Sequence, residues 1–507
     1  MNKTYSNSFY GYTQGNGGRV AVLFLLFSIA IYQLCTTGIT GFAMVCTVPV
    51  AALFAILAFR YRMFTFWTLF VVNYMVMFLS RYQYLPLPAS LPNEMLEILL
   101  LAIAVIEIKD LHYERMANTM LLMLTVWCIF CTLEVLNDTC GLGIDIGAWY
   151  AGARLMAFQL MYAFLVCTIY ISTPQRVKQF LRVWAVLSMF AAFWAWKQQK
   201  IGFSAPEKSF LLYAGRTHIV NGITRYFSVF SDAANFGCNM AASAVVFYIV
   251  AITTKLKKEK IFFLVAALAS TWAMFSSGTR TALFCLIAGF MVYIFLSKSF
   301  RIAIPVSVVF GLFVALLAFT HIGNSNSMIR RMRSGFNRKD ASAETRTINQ
   351  EAMKKYLNDA PWGIGIGNGY ENVPAGNKFR KLSVIPPDSE YVFIWVHTGI
   401  IGITTFLVTT FVMLFGACWI VFFRIKNKSL QGAGAGICCA FVAIQLGGYG
   451  NQILMQFPNV LIFYGSLSLV YIMPYIENEW NEHEAKLIAE QEERKRLKLE
   501  KKRASRV

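Results

Sequence analysis

Long apolar segments are the feature that most constrains how this chain can fold. A helix needs about 20 consecutive apolar residues to cross the core of a bilayer, and the chain contains about fourteen runs near this length. Polar, glycine or proline residues separate them. We predict transmembrane helices near 20–37, 40–59, 63–80, 91–108, 117–136, 154–172, 181–196, 233–252, 261–277, 281–297, 302–320, 390–423, 433–449 and 458–474. The sequence therefore predicts an all-α polytopic membrane protein.

The composition excludes the soluble alternatives. Hydrophobic residues make up 57% of the 507 residues and charged residues 14%, whereas a soluble protein carries roughly 25% charged residues. A water-facing fold cannot hide so much apolar surface. A disordered chain, a water-soluble enzyme and a nucleic-acid-binding domain are therefore excluded, and membrane lipids rather than nucleic acid are the expected surroundings of a chain with net charge +20.

Lysine and arginine predict the orientation, because they concentrate in cytoplasmic loops. The set of loops that includes those around Lys258 and Lys426 holds more than twice as many basic residues as the short loops of the other set. We therefore expect both termini inside the cell. The predicted regions are a cytoplasmic N-terminus (1–18), helices 1–11 (19–320), a long external loop (321–389), helices 12–14 (390–474) and a charged cytoplasmic tail (475–507).

The cysteines do not indicate a disulfide framework or a metal site. Nearly all of the eleven lie inside apolar runs, where cysteine behaves as a small hydrophobic residue. Cys128 and Cys131 form a C-x-x-C pair, but no second pair accompanies it in the sequence. We predict neither a metal nor another cofactor.

Three polar clusters on the external side are candidate sites, since a charge at membrane depth is costly and usually functional. The first is the loop from Gly222 to Gly237, which brings Arg225, Asp232 and Asn235 to the start of a predicted helix. Ser231 or Asp232 is suited to cap that helix. Arg225 has no such capping role.

The second cluster is a very short hairpin, Ser276 to Thr281, with the sequence S-S-G-T-R-T. Because hardly any loop separates the two apolar runs, Arg280 must lie at the outer boundary of the bundle. Its guanidinium then either reaches lipid phosphate or faces a substrate cavity. The sequence leaves both interpretations open.

The third cluster is the long loop 321–389, which carries a net positive charge. Thr345 to Leu357 fits an amphipathic helix, with one face formed by Ile348, Ala352, Met353, Tyr356 and Leu357. The glycine-rich stretch Asn358 to Gly369 could expose backbone N–H groups to an anion. The loop ends with P-P-D-S-E-Y, which places Asp388 and Glu390 at the top of the twelfth helix.

These clusters together resemble the O-antigen ligase and polymerase superfamily of bacterial polysaccharide assembly. The resemblance covers roughly residues 215–425: the arginine loop before the eighth helix, the Arg280 hairpin, P-W-G-I-G-I-G-N in the long loop, and D-S-E-Y-V-F-I-W-V-H-T-G-I-I-G-I from Asp388 to Ile403. It implies a glycosyltransferase of the type C fold class with a large helical periplasmic loop, in the bacterial inner membrane. It also implies an inverting, metal-independent transfer of glycan from undecaprenyl pyrophosphate to an acceptor.

The resemblance assigns roles to particular residues. Arg225 and Arg280 correspond to ligands of the leaving pyrophosphate, which arginine can hold bidentately, and Arg346 is a third candidate. Asp388 is placed to accept the proton of the attacking sugar hydroxyl. The remaining candidates are Glu390 for catalysis and Asp232, Asn235 and Tyr391 for contacts with the glycan or pyrophosphate.

Asp388 and Ser389 stand where ligase members commonly have a His-Asn pair. An acidic residue at this point favours polymerisation over ligation to a lipid A core. A transporter of lipid-linked oligosaccharide is the alternative from another class, and a membrane acyltransferase would use His397. We expect instead that His397 makes a hydrogen bond within its own helix.

The tail from Glu477 to Val507 is typical of a charged helix. We expect it to be solvated below the membrane. The alternative is a docking site for other polysaccharide-assembly proteins or for anionic lipid.

Overall fold

The computed structural model describes residues 17–38, 52–82, 90–107, 112–220, 222–325, 327–336 and 341–504. Within these ranges, nine helical segments are long and apolar enough to cross a membrane, and Val20–Thr36, Arg280–Leu296 and Ile304–Leu316 are shorter apolar helices. The fold is therefore an all-α polytopic membrane protein, as the sequence predicts. Most of the predicted helix 40–59 lies outside the described residues.

The helices follow the apolar runs. In chain order they are α1 (Gly17–Thr37), α2 (Arg62–Tyr82), α3 (Leu91–Ile106), α4 (Thr119–Leu133), α5 (Ile146–Ala153), α6 (Gln159–Tyr170), α7 (Pro174–Lys200), α8 (Ala205–His218), α9 (Ala233–Thr253), α10 (Lys257–Ser276), α11 (Arg280–Leu296), α12 (Phe300–Phe319), α13 (Ser327–Arg333), α14 (Ala341–Leu357), α15 (Arg380–Val384), α16 (Glu390–Trp419), α17 (Lys428–Gly450) and α18 (Gly465–Ala504). Segments of π-helix cover Arg154–Phe158, Ile420–Arg424 and Val460–Tyr464. A two-residue antiparallel pair joins β1 (Ile219–Val220) to β2 (Ile223–Thr224).

The chain forms two compact units, residues 1–66 and 67–507. In the first unit, α1 exposes apolar side chains along most of its length, including Leu23, Phe24 and Phe27. Such a surface suits contact with lipid, where apolar side chains need no cover from protein.

In the second unit, α9 and α17 form the centre of the bundle: α9 packs against α10, α11 and α17, and α17 also packs against α11. Small residues on α17 permit this close approach. A Cβ atom at Gly432 would lie 2.0 Å from Thr253 Oγ1 on α9, and one at Gly447 would lie 3.3 Å from both Cys238 Cβ on α9 and Cys285 Sγ on α11. Small residues are the usual means by which membrane helices come together.

The tail differs from the expectation of a solvated helix. Helix α18 runs without interruption from the last apolar segment into the charged segment. Trp480 is buried, and the buried carboxylate of Glu484 lies 2.9 Å from Lys255 Nζ. Trp480 and Glu484 lie on one face of the charged segment, and this face packs against the bundle. The other faces of the same turns carry exposed charges.

Candidate functional site

The turn between α10 and α11, Ser277 to Thr279, is the centre of the candidate site. Thr279 Oγ1 donates to the carbonyl of Ala233 at the start of α9, at 2.8 Å. A Cβ atom at Gly237 would lie 2.2 Å from Ser277 Oγ. The turn is therefore held tightly against the first turns of α9.

Arg225 binds this turn from the loop before α9. Its Nη2 donates to Thr279 Oγ1 at 2.8 Å, and its Nε donates to the carbonyl of Ser277 at 3.4 Å. Burial, and next the positive charge of Arg331, lower the pKa of Arg225 to about 10; Arg280 adds to this effect and Asp232 opposes it. The guanidinium remains charged at neutral pH.

Arg331 on α13 binds the same turn, with its Nε 2.9 Å from the carbonyl of Gly278. Arg280 follows the turn directly as the first residue of α11. A Cβ atom at Gly335, in the turn after α13, would lie 3.3 Å from Arg280 Cβ. Guanidinium groups from three separate parts of the chain thus gather around one turn.

Asp232 caps α9, as one of the two sequence interpretations expects. Its Oδ1 accepts the N–H groups of Ala234 at 2.7 Å and Asn235 at 3.0 Å, and Ser231 Oγ donates to its Oδ2 at 2.9 Å. These bonds occupy the carboxylate in ordering the start of the helix. A contact with substrate remains a prediction for this residue.

Asn235 is fully buried and takes part in a network of amide groups. Its Nδ2 donates to the carbonyl of Phe457 at 2.9 Å, and its Oδ1 accepts from Asn459 Nδ2 at 2.7 Å. The structure thus uses Asn235 to hold α9 to the segment that follows α17. The predicted substrate contact is untested.

Helix α14 connects two further predicted residues, Arg346 and Asp388, to the same end of the bundle. Arg346 Nη2 donates to the carbonyl of Gly450 at 2.7 Å, where a Cβ atom on Gly450 would lie 2.7 Å from Thr281 Oγ1. One turn further along α14, Asn349 Nδ2 lies 3.4 Å from Asp388 Oδ2. The carboxylate of Asp388 is exposed. These contacts connect Asp388, through α14, to the start of α11.

Glu390 and Tyr391 point into the bundle. The buried carboxylate of Glu390 accepts the N–H of Leu454 at 2.9 Å. Tyr391 Oη donates to the backbone carbonyl of Gln445 at 3.0 Å. Both side chains hold the start of α16 against α17 and the segment after it, which makes them supports for Asp388. Their predicted direct roles in catalysis and glycan binding remain predictions.

The amphipathic pattern predicted from Thr345 to Leu357 agrees with the structure except at one position. Met353 and Leu357 are buried, and Tyr356 packs against the same apolar cluster. Ile348 is exposed. It lies on the turn between Arg346 and Asn349, which face the polar end of the bundle.

The glycine-rich segment inserts into a kink of α16. Gly399 has φ +64°, and a Cβ atom at Gly363 would lie 2.5 Å from its backbone nitrogen. The N–H groups of Ile364 and Gly365 donate to the carbonyls of Val396 at 2.9 Å and His397 at 3.0 Å. These N–H groups are therefore bonded to the helix and do not form the anion cradle that the sequence allowed.

His397 bonds to this segment rather than to its own helix. Its Nδ1 lies 3.1 Å from the carbonyl oxygen of Gly365. The expectation of an intrahelical hydrogen bond is wrong, because the kink at Gly399 opens the helix and admits the loop. The residue is buried, with a structural contact to the loop.

The comparison with known families decides the relationship. Residues 263–407 match the family described as O-antigen ligase. This confirms the resemblance to the O-antigen ligase and polymerase superfamily. No curated protein matches the chain. The match supports a function of the ligase or polymerase type and does not distinguish between the two.

The part that matches the O-antigen ligase family includes Arg280, Arg331, Arg346 and Asp388. Sequence reasoning missed Arg331, which lies in R-R-M-R from Arg330 to Arg333. The clustering of positive charge in the loop predicted to be external was a signal, but it could not single out one arginine. No group of three or more His, Cys, Asp or Glu side chains suited to a metal occurs among the described residues.

Proposed function

We propose that this protein is a membrane glycosyltransferase that joins glycan units carried on undecaprenyl pyrophosphate. The observation that supports it is the gathering of Arg225, Arg280 and Arg331 around the turn from Ser277 to Thr279. Guanidinium groups are planar, permanently charged and suited to phosphate oxygens. Such a group of cations is suited to bind an anion such as the pyrophosphate of the donor.

The reaction begins with attack of a sugar hydroxyl of the acceptor on the anomeric carbon of the donor. The bond from that carbon to the pyrophosphate oxygen breaks, with inversion at carbon, and the lipid pyrophosphate leaves. Negative charge develops on the leaving group, where fixed positive groups stabilise the transition state. Arg225, Arg280 and Arg331 supply that charge, so no divalent cation is required.

Asp388 accepts the proton of the attacking hydroxyl. Its exposed carboxylate has the access to an acceptor that a buried group lacks, and Asn349 orients it through a hydrogen bond. Arg346, one turn earlier on α14, lies between this carboxylate and the start of α11. From this position Arg346 can contact the donor and the acceptor where the new glycosidic bond forms.

We favour polymerisation, because the residue at the predicted base position is an aspartate. The second candidate is transfer of the finished glycan to a lipid A core or another acceptor, and the family match is equally compatible with it. The protein would reside in the inner membrane with both termini in the cytoplasm. The C-terminal helix would be available to other polysaccharide-assembly proteins.

The test is transfer by the purified protein in detergent. Lipid-linked oligosaccharide supplied alone should yield a ladder of polymers if the protein is a polymerase. If it is a ligase, product should form only when a lipid A core acceptor is added. If folded protein consumes no donor in either mixture, both candidates are contradicted and the transporter alternative is favoured.

A further inference from the structure

A buried polar cluster lies within the bundle, outside the matched residues 263–407. It joins α2, α3, the π-helical segment between α5 and α6, and the start of α6. Its members all have side chains that are buried or nearly so: Asn73, Asn93, Glu94, Glu97, Arg154 and Gln159. Asn73 Nδ2 donates to Asn93 Oδ1 at 2.8 Å, and Asn93 Nδ2 donates to Gln159 Oε1 at 3.4 Å.

One carboxylate of this cluster has a counter-charge. Arg154 Nη1 lies 3.2 Å from Glu94 Oε1 and 3.3 Å from Glu94 Oε2. The pair is nearly buried, so each charge depends on the other. Arg154 is therefore paired with Glu94.

Glu97, one turn further along α3, has no such partner. Its side chain is fully buried, and the polar groups beside its carboxylate are the neutral amides of Asn93 and Gln159. Neither carboxylate oxygen has a donor at hydrogen-bond geometry within the described part of the chain. The same holds for Asn73 Oδ1. The cluster thus holds two acidic side chains and one guanidinium.

No described neighbour of Glu97 supplies a second positive charge. The other titratable groups that interact with it electrostatically are Glu94, Tyr162 and Cys167. None of them is cationic at neutral pH. An uncompensated carboxylate in a low-dielectric interior is strongly unfavourable, so a counter-ion is needed.

The backbone beside the cluster is also unusual. The π-helical segment Arg154–Phe158 separates α5 from α6. Arg154 is the first residue of this segment, and Gln159 follows its last residue directly. Both residues that this part of the chain contributes to the cluster therefore lie at the ends of the π-helical turn. Single π-helical turns in membrane and soluble helices often mark functional sites.

We propose that Glu97 binds a single monovalent cation, a proton or a sodium ion, within this buried cluster. With both carboxylates ionised, the cluster has one more negative charge than positive charges, and one monovalent cation balances it. A divalent ion such as Ca²⁺ takes six to eight oxygen ligands, commonly with several carboxylates. Glu94 cannot serve as one of these ligands unless its ion pair with Arg154 is broken.

Labelling with dicyclohexylcarbodiimide tests the site in the full-length protein in detergent. The O–H of a protonated carboxyl adds across one C=N bond, and the adduct rearranges to a stable N-acylurea without loss of atoms. In sodium-free buffer at pH 6–7, the Glu97 peptide should carry the label, as measured by mass spectrometry. Glu97→Gln should abolish labelling at this position.

The two cations are then distinguished by titration. If sodium is the natural ligand, increasing sodium chloride should suppress the label and raise the Tm of the wild-type protein, whereas potassium chloride should not. If the proton is the ligand, sodium should have no effect, and the label should decline only as the pH rises. Glu97→Gln, which keeps size without charge, should retain at least the wild-type Tm and lose any sodium dependence.

Glu94→Gln is the matched control, since it leaves Arg154 without its counter-charge and should lower the Tm by several degrees. Two results would overturn the proposal. One is an unlabelled Glu97 in sodium-free buffer together with a Tm that sodium does not change. The other is a fall in Tm for Glu97→Gln as large as that for Glu94→Gln, which would mean that the Glu97 carboxylate is ion-paired within the protein.

Discussion

Arg225 and Arg331 bind adjacent carbonyl groups of one turn, Arg225 that of Ser277 and Arg331 that of Gly278. They come from segments about a hundred residues apart in the chain. Two cations held this close repel each other, and the lowered pKa of Arg225 reflects that repulsion after the effect of burial. An anion shared between them would relieve it.

The first prediction concerns geometry at the arginine cluster. Arg280→Lys and Arg331→Lys keep the charge but lose the planar, bidentate arrangement of donors. Loss of a transition-state contact of this kind is worth about 3 kcal/mol, or about a hundredfold in turnover. We therefore expect purified variants whose Tm is unchanged to turn over lipid-linked donor about a hundredfold more slowly than the wild-type protein.

Arg330→Lys is the control, because Arg330 is an exposed neighbour in the same helix. It should retain nearly full activity. Wild-type turnover in Arg280→Lys and Arg331→Lys would show that these side chains do not hold the leaving group. Arg225→Ala should weaken donor binding as well as turnover.

The second prediction concerns the proton acceptor. Asp388→Asn keeps the size of the side chain and its hydrogen bond from Asn349 but cannot take a proton. We expect kcat to fall by about a hundredfold or more, with the KM for donor nearly unchanged. Asp359→Asn, which changes another exposed carboxylate of the same loop, should have little effect.

Full activity of Asp388→Asn would contradict this role. If in addition a His397→Gln variant folded normally but were inactive, the base would be His397. The acyltransferase interpretation would then gain support.

The third prediction is that turnover survives EDTA. The arginine cluster provides the positive charge that a bound divalent cation otherwise supplies to a diphosphate. Activity of the purified protein before and after chelation measures this. Loss of turnover that magnesium or manganese restores would rule out the proposed mechanism.

The fourth prediction tests the insertion of the glycine-rich segment into α16. Gly363→Ala places a methyl group against backbone atoms of His397 and Gly399 and disfavours the required φ of +72°. We expect a loss of about 2 kcal/mol or more in stability. Gly369→Ala, where nothing lies within 4 Å of the new Cβ atom, should change stability by less than about 0.5 kcal/mol. Thermal unfolding in detergent compares them, and equal Tm values would contradict the insertion.

The fifth prediction concerns orientation. Ser325→Cys should react with a membrane-impermeant maleimide in cells whose outer membrane alone is permeabilised, whereas Lys258→Cys should require permeabilisation of the inner membrane. Both positions are exposed. Native cysteines that react must first be replaced by serine. The reverse labelling pattern would place the arginine cluster in the cytoplasm and exclude a periplasmic transfer reaction.

The sequence by itself determined that the chain is an all-α polytopic membrane protein, because the length and apolarity of a membrane helix are properties of a continuous segment. It also identified Arg225, Arg280 and Asp388 as candidates, since charges at the ends of apolar runs stand out, and the family resemblance added Arg346. The capping of α9 by Asp232 was similarly predictable from local order in the chain.

Only the tertiary structure decided which of these residues meet and what else joins them. Arg331 and Asn349 became candidates through contacts with Gly278 and Asp388, which are distant in the chain. The inward direction of Glu390 has the same origin, because a hydrogen-bond partner is set by packing between helices. The lack of a counter-charge for Glu97 among the described residues likewise appears only when α3 is placed beside Arg154, since a local sequence pattern does not record which carboxylate a distant arginine binds.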